Sequence, residues 1–480
     1  MTSRRRKAFL TVFCVGSLSI AAAGCGSKTP LDPKNPTSIT VWTYYNGDQL
    51  GAFDSMVEEF NETVGREEGI VVKSVSQGSV NDLEANVLAA VQGEVGADEV
   101  PNIFMAYADT AYEIDQMGQV VDLKDYLTEE EKSAYIDSYL KEGDFGGTGE
   151  IKIFPTAKAF EVLVLNKTDW DVFAAATGAD YDDLSDMEGL TATAKRYYEW
   201  TDAQTPDVPN DGRALFGRDA MANYMLIGSM QLGQEIFEVS GEKMTLHFDK
   251  AVARRLWDNY YIPFVKGYFA ATGRFRSDDM KTGNIIACVG SSSGVSFFPE
   301  VVSVSDSESY PIEMDVLPCP KFEGGDYAVQ QGAGMVVTRG AEPEVYACVE
   351  FLKWFTADER NIKFSADSGY LPVTRTANSR DAIAGSGAQI SDRMLKTLNV
   401  GVDTVNGNEL YTTKAFAGGS QARNVLEYSL SDKAAADREI VVGRMAQGMS
   451  MEEAVAEFEL DDNFDAWYEE TLRRLQEFAQ

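Results

Sequence analysis

Three short apolar runs, Ile39-Thr40-Val41-Trp42, residues 70–75 and Asn102-Ile103-Phe104-Met105, are separated by stretches with helical spacing, and this alternation constrains the fold most. Residues 53–60 repeat apolar side chains at helical intervals, and Leu83, Val87 and Val91 share one face of a helix over 81–91. Strand, helix and strand in succession predict βαβ units and a mostly parallel sheet, hence an α/β fold. A glycine-rich stretch over 143–149 breaks the pattern before Ile151-Lys152-Ile153-Phe154-Pro155. Residues 169–268 then read as mainly helical around a polar loop at 205–212. Strands resume at 285–289, 315–317 and 335–337, and helices dominate the remainder, including 345–355 and 462–478. More than 400 residues follow Ser38, enough for two lobes with separate cores.

The first 25 residues decide where such a chain works. Arg4, Arg5, Arg6 and Lys7 precede an apolar run over 8–23 and the small residues Ala22-Ala23-Gly24-Cys25. A spanning helix needs about 20 apolar residues, so the charged start, shorter apolar stretch and small-residue site predict an export signal over 1–24. The mature chain is expected outside the cytoplasm. Ala23-Gly24-Cys25 resembles a bacterial lipobox, which implies that Cys25 carries the lipid and becomes the first residue, anchored to the cell membrane. Two acyl chains hold a protein to a bilayer where one holds it only marginally. Residues 25–37 are polar and proline-rich and read as an extended tether, at about 3.1 Å per residue.

The net charge of −34, more negative still without the four N-terminal cations, repels polyphosphate and argues against nucleic acid and against adhesion to anionic lipid headgroups. Beyond Cys14 and Cys25, the cysteines Cys288, Cys319 and Cys348 form no C-x-x-C, so neither a zinc site nor a disulfide framework is written here; at most one bridge is expected. His247 is the only histidine, which removes most transition-metal sites, and no cofactor is expected. Gly290-Ser291-Ser292-Ser293-Gly294 fits a nucleophile elbow after a strand, but that fold places its histidine after the serine and His247 comes before it. A secreted serine hydrolase built on Ser292, His247 and Asp258 or Asp278 is thus the alternative of another class. Gly332-Ala333-Gly334 lacks the third glycine of a dinucleotide fingerprint, and no P-loop occurs, so any ATPase is another chain.

Four segments, in order, resemble the extracellular solute-binding proteins of ABC importers, in the group of sugar and glycerol-3-phosphate binders. They are Ile39-Thr40-Val41-Trp42; Phe154-Pro155 through Glu161-Val162-Leu163-Val164-Leu165-Asn166-Lys167; Leu317-Pro318 with Gln331-Gly332-Ala333-Gly334; and Gly369-Tyr370-Leu371-Pro372-Val373. The resemblance implies a two-lobed, type II periplasmic-binding-protein-like clamp with parallel-rich sheets flanked by helices. It implies a binding protein rather than an enzyme, with the permease subunits of an ABC transporter as partner. It also implies chain crossings near 155–160, 317–318 and 339–340. The N-terminal lobe would then comprise 38–156 plus 318–338, and the C-terminal lobe 157–317 plus 339–480.

Solute clefts are lined by aromatics with a few placed polar groups, and a pyranose packs its C–H face on a ring. Trp42, Tyr44 and Tyr45 follow the first strand, and Tyr107 follows the third, at the carboxyl edge where open α/β sheets hold ligands. Lys158 stands at the first crossing, within reach of a solute oxygen. The small-residue loop 290–294 can turn N–H groups and hydroxyls toward an anion or sugar oxygens. Resemblance to the glycerol-phosphate binders implies a phosphate set of Ser292 or Ser293, Gly332 or Gly334, Tyr370 and Arg423. The residues that hold glycerol in that group are replaced here by Val80 and Ala108. The expected solute is a sugar or oligosaccharide, with glycerol 3-phosphate or a related organophosphate as the alternative.

Overall fold

A computed structural model describes residues 29–241 and 243–479. The export signal over 1–24 and Cys25 lie outside the described residues. The first sheet has the strand order Gly334–Val337, Ile103–Ala106, Thr37–Thr43, Ile70–Ser76. Thr37–Thr43 runs parallel to both neighbours, with Trp42 opposite Val75 on one side and Phe104 on the other. The late strand Gly334–Val337 closes the edge antiparallel. Helix Gly47–Glu62 buries Phe53, Met56, Val57 and Phe60, the three- and four-residue spacing that makes one apolar stripe.

The second sheet has the order Met314–Pro318, Glu161–Asn166, Ala287–Ser291, Phe216–Arg218. Only its Phe216–Arg218 and Ala287–Ser291 pair is parallel. Successive side chains of a strand point to opposite faces. Leu163 and Leu165 accordingly enter one core, with Trp257 and Leu426, while Val162 and Val164 enter another, with Leu371 and Leu398. Burial on both faces explains why 161–166 reads as an unbroken apolar run rather than an alternating one.

The first core gathers residues from 39 to 159 and then Met335, Val336 and Val337, but it also takes Val345, Phe351, Phe355, Phe364 and Val373. The expected lobe boundary at 339 is therefore corrected: helix Glu342–Phe355 stays with the first lobe, because Phe351 packs edge-on against Phe60 at 5.2 Å between ring centres. The third passage between cores falls at 371–377 instead of 339–340, where Leu371 and Ala377 join the second lobe while Tyr370 and Val373 join the first.

Three connecting segments are bonded side by side. Ala159 and Gln331 exchange both backbone bonds, at 2.9 and 3.0 Å, and Lys158 and Leu371 do the same at 3.2 and 2.6 Å. Gly332 has φ +88° and lies so near the first segment that a Cβ would stand 2.9 Å from the carbonyl of Ala157. Only glycine passes there. The tether is shorter than expected, since Leu31 packs on the first core and Thr37 N–H donates to the Gly69 carbonyl. Cys288, Cys319 and Cys348 are all free thiols.

Candidate functional site

The connecting segment at 329–331 forms the floor of a cavity of about 360 Å3 that both lobes line. From the first lobe come Asn81, Glu84, Tyr107, Asp109 and Glu142; from the second, Asn223, Tyr411, Thr413, Ser420, Arg423 and Asn424; from the floor, Gln330 and Gln331. Cavities of about 510 and 760 Å3 also occur, the larger lined by the second lobe alone and the other by that lobe with the Tyr327–Val329 strand. Solute captured between moving halves must touch both, so the 360 Å3 cavity is the candidate site.

Local structure places its side chains. Strand Ile103–Ala106 turns directly into helix Ala108–Gln116 with Tyr107 at the corner, which leaves that ring more than a third exposed at the cavity wall, 37 %. Asp109, in the helix's first turn, reaches across to the second lobe: a Cβ on Gly419 would stand 2.4 Å from its Oδ1. Burial pushes the Asp109 carboxyl up to about 6, with Glu84 adding to the rise and Arg423 opposing it. A carboxyl raised in this way takes up a proton as pH falls through about 6. Thr110 Oγ1 donates to Glu84 at 2.8 Å.

The sequence candidates divide. Tyr44, Tyr107, Ser293 and Tyr370 are brought together: Tyr370 interacts with Tyr44 and Ser293, and Tyr107 with Tyr44. The Tyr44 hydroxyl also accepts from Ala333 N–H at 3.4 Å, and burial, with the neighbouring phenols, pushes its pKa well above the usual tyrosine range. Arg423 lies across the cavity and its field reaches Tyr107. Trp42 and Tyr45 instead belong to the core, Tyr45 wholly enclosed by Phe53, Phe364 and Tyr370. Gly334 is a packing glycine, since a Cβ there would come within 2.3 Å of Ile153 Cγ2. Ser292 is fully buried. Lys158 is spent on Glu142 and on the Gly332 carbonyl, 2.8 Å away, which leaves no free ammonium for solute.

The hydrolase alternative is corrected. His247 Nε2 pairs with Glu238 at 2.9 Å, Asp258 with Arg254 at 2.8 Å and Asp278 with Lys281 at 3.4 Å, while Ser292 Oγ has no hydrogen-bond partner among the described residues. The nucleophile, base and orienting acid are not assembled.

Asp109, Glu142, Asn223, Gln330 and Tyr411 were not among the sequence candidates. Asn223 had a readable signal, being the one amide in the apolar run Met221-Ala222-Asn223-Tyr224-Met225-Leu226-Ile227. Asp109 stands two residues past Tyr107 on the same strand-to-helix corner.

A family model described as bacterial extracellular solute-binding protein matches residues 55–388. No curated protein matches the chain. Among solved structures, the cyclic alpha-maltosyl-1,6-maltose binding protein from Arthrobacter globiformis is similar with a TM-score of 0.63 and 16 % identity, over 92 % of this chain and 100 % of that one. UgpB from Mycobacterium tuberculosis in complex with glycerophosphocholine gives 0.63 and 17 %, over 92 % and 100 %. The Thermus thermophilus maltotriose binding protein gives 0.60 and 13 %, over 92 % and 99 %. At such identities the likeness is one of fold, two lobes with mixed sheets and flanking helices. With a family match over more than half its length, the chain belongs to the bacterial extracellular solute-binding proteins.

Proposed function

We propose that the protein captures a neutral polyhydroxylated solute, a sugar or oligosaccharide, between its lobes and presents it to the permease of an ABC importer. The carrying observation is Gln331 Oε1, a buried acceptor at the cavity with no partner among the described residues. A buried amide oxygen without a donor is costly, and a solute hydroxyl satisfies it. The remaining lining suits the same chemistry: Asn81 and Asn424 offer both donors and acceptors, and the Tyr107 ring offers a face for a pyranose. Solved relatives whose names specify maltotriose and a cyclic maltosyl sugar support this reading.

An organophosphate is the second reading. The Tyr44, Tyr370 and Ser293 hydroxyls with the Ala333 N–H favour it, as does the likeness to a glycerophosphocholine complex. Charge weighs against it, because Arg423 shares the cavity with Glu84 and Asp109, and an anion there meets more repulsion than attraction. Thermal unfolding with maltose, maltotriose, glycerol 3-phosphate and glycerophosphocholine separates the two. A sugar at 100 times its dissociation constant is expected to add roughly 2.7 kcal/mol. If no sugar moves the transition while a phosphate compound does, the sugar reading is wrong.

The proposal extends to a lipid on Cys25 that keeps the mature chain at the outer face of the membrane, supported by the lipobox-like Ala23-Gly24-Cys25. Cys25→Ala is expected to move the protein from the membrane fraction to the medium, and full retention on membranes counts against the anchor.

A further inference from the structure

Glu161 opens the central strand of the second sheet, where the chain has just left the floor of the cavity, and it is 6 % exposed. A carboxylate so placed needs partners for both oxygens. Oε2 accepts from Arg218 Nη2 at 2.8 Å, and Oε1 accepts from Asn223 Nδ2 at 3.0 Å. Arg218 is itself buried, its guanidinium 5.2 Å from the ring centre of Tyr224. None of these groups faces the wall on which the solute is expected to bind, except through Asn223.

Asn223 has one amide nitrogen and one oxygen, and the carboxylate can only accept. The nitrogen must therefore point at Glu161, which turns the oxygen the other way, where it accepts from Arg423 Nη2. A second tie keeps the helices in register: Glu427, one turn beyond Arg423, accepts from the N–H groups of Met221 and Ala222 at 3.1 and 2.7 Å. One arm of the Arg423 fork is thus held from behind while Arg423 lines the cavity. Replacing a buried ion pair by apolar side chains is often neutral or stabilising, so stability alone does not account for Arg218 and Glu161 here.

We propose that Glu161 is a positioning residue: acting through Asn223, it fixes the direction in which the Arg423 guanidinium meets the solute. This rests on the reading that the cavity between the lobes takes the solute. A glutamine at 161 keeps one oxygen and presents an N–H2 in place of the other; Arg218, charged and able only to donate, retains the oxygen, so Asn223 meets the N–H2 and its bond breaks or its amide turns over, although size and shape are kept.

Two measurements test it. In ligand-free protein labelled with 15N-arginine, the Arg423 signal, assigned by its absence from Arg423→Lys, is expected to show hindered rotation that Glu161→Gln releases. An unchanged Arg423 signal in Glu161→Gln overturns the proposal. With maltotriose as probe, Glu161→Gln is expected to weaken binding about tenfold, the size of one oriented hydrogen bond to a charged group, and to do nothing further in an Arg423→Ala background. An equal loss in that background means a merely structural role and also overturns it. Should Glu161→Gln fail to fold, Asn223→Leu leaves the Arg218 pair intact and is expected to free the same signal. If the parent binds no sugar, the solute reading falls, and the arginine signal still decides the role of Glu161.

Discussion

Replacing Lys158 with methionine is expected to destabilise the folded protein by about 3–5 kcal/mol, the range for removing one partner of a buried ion pair. Lys158 is 1 % exposed on its side chain and Glu142 3 %, so neither charge has water to fall back on. The ammonium also donates to the Gly332 carbonyl at 2.8 Å, and Glu142 accepts a further bond from Gln330 Nε2 at 3.0 Å. One pair therefore pins the first lobe and two connecting segments at the point where the chain passes between lobes. Lys158→Met leaves a bare carboxylate there. Adding Glu142→Gln removes that charge, keeps an acceptor for Gln330, and is expected to restore most of the loss. Urea unfolding of the parent, the single variant and the double variant decides the matter. Equal losses in the single and double variants would show that the charge is not what matters. Because Glu142 lines the cavity, the single variant is also expected to bind solute more weakly than the double variant.

Most strands of the two sheets were legible because their cause is local, short β-branched and aromatic runs bounded by turns; Phe216–Arg218 was not, since it is only three residues long and lies within 169–268, which reads as mainly helical. Strand Glu161–Asn166 was marked only through the resemblance, although it is apolar at every position but its ends. Lobe membership after residue 338 was not legible. The faces of helices Glu342–Phe355 and Asp358–Ser368 are apolar in the ordinary way, and nothing in their spacing says whether Phe351 meets Phe53 of one lobe or Trp257 of the other. Long-range packing is the missing information. The candidate site shows the same division. Tyr107 and Arg423, the two candidates that line the cavity, stand at a strand-to-helix corner and near the start of helix Gly419–Ala446, places that local chain direction makes readable. Lys158 was misread because its partner, Glu142, sits 16 residues earlier at the end of a short helix, beyond reach of any motif. Trp42 and Tyr45 were misread because an aromatic at a sheet edge fits core and cleft equally well until the neighbouring helices are placed.

Phe351→Ala follows from that long-range packing and is the sharpest check on where the lobes divide. Phe351 is fully buried, with ring centres 6.3 Å from Phe53 and 5.2 Å from Phe60, both on helix Gly47–Glu62. Truncating a buried phenylalanine costs about 3–5 kcal/mol, the lost transfer free energy plus the cavity left behind. The two lobes have separate cores, and a protein opens in cooperative units that follow its packing. The loss is therefore expected to fall on the first lobe. In amide hydrogen exchange, peptides covering Thr37–Thr43 and Ile103–Ala106 should lose protection, while those covering Glu161–Asn166 and Ala287–Ser291 should keep it. The opposite pattern would return helix Glu342–Phe355 to the second lobe and restore the boundary at 339. Selective loosening of the first lobe would also lower solute affinity without touching the cavity wall, since a clamp closes only on two formed halves.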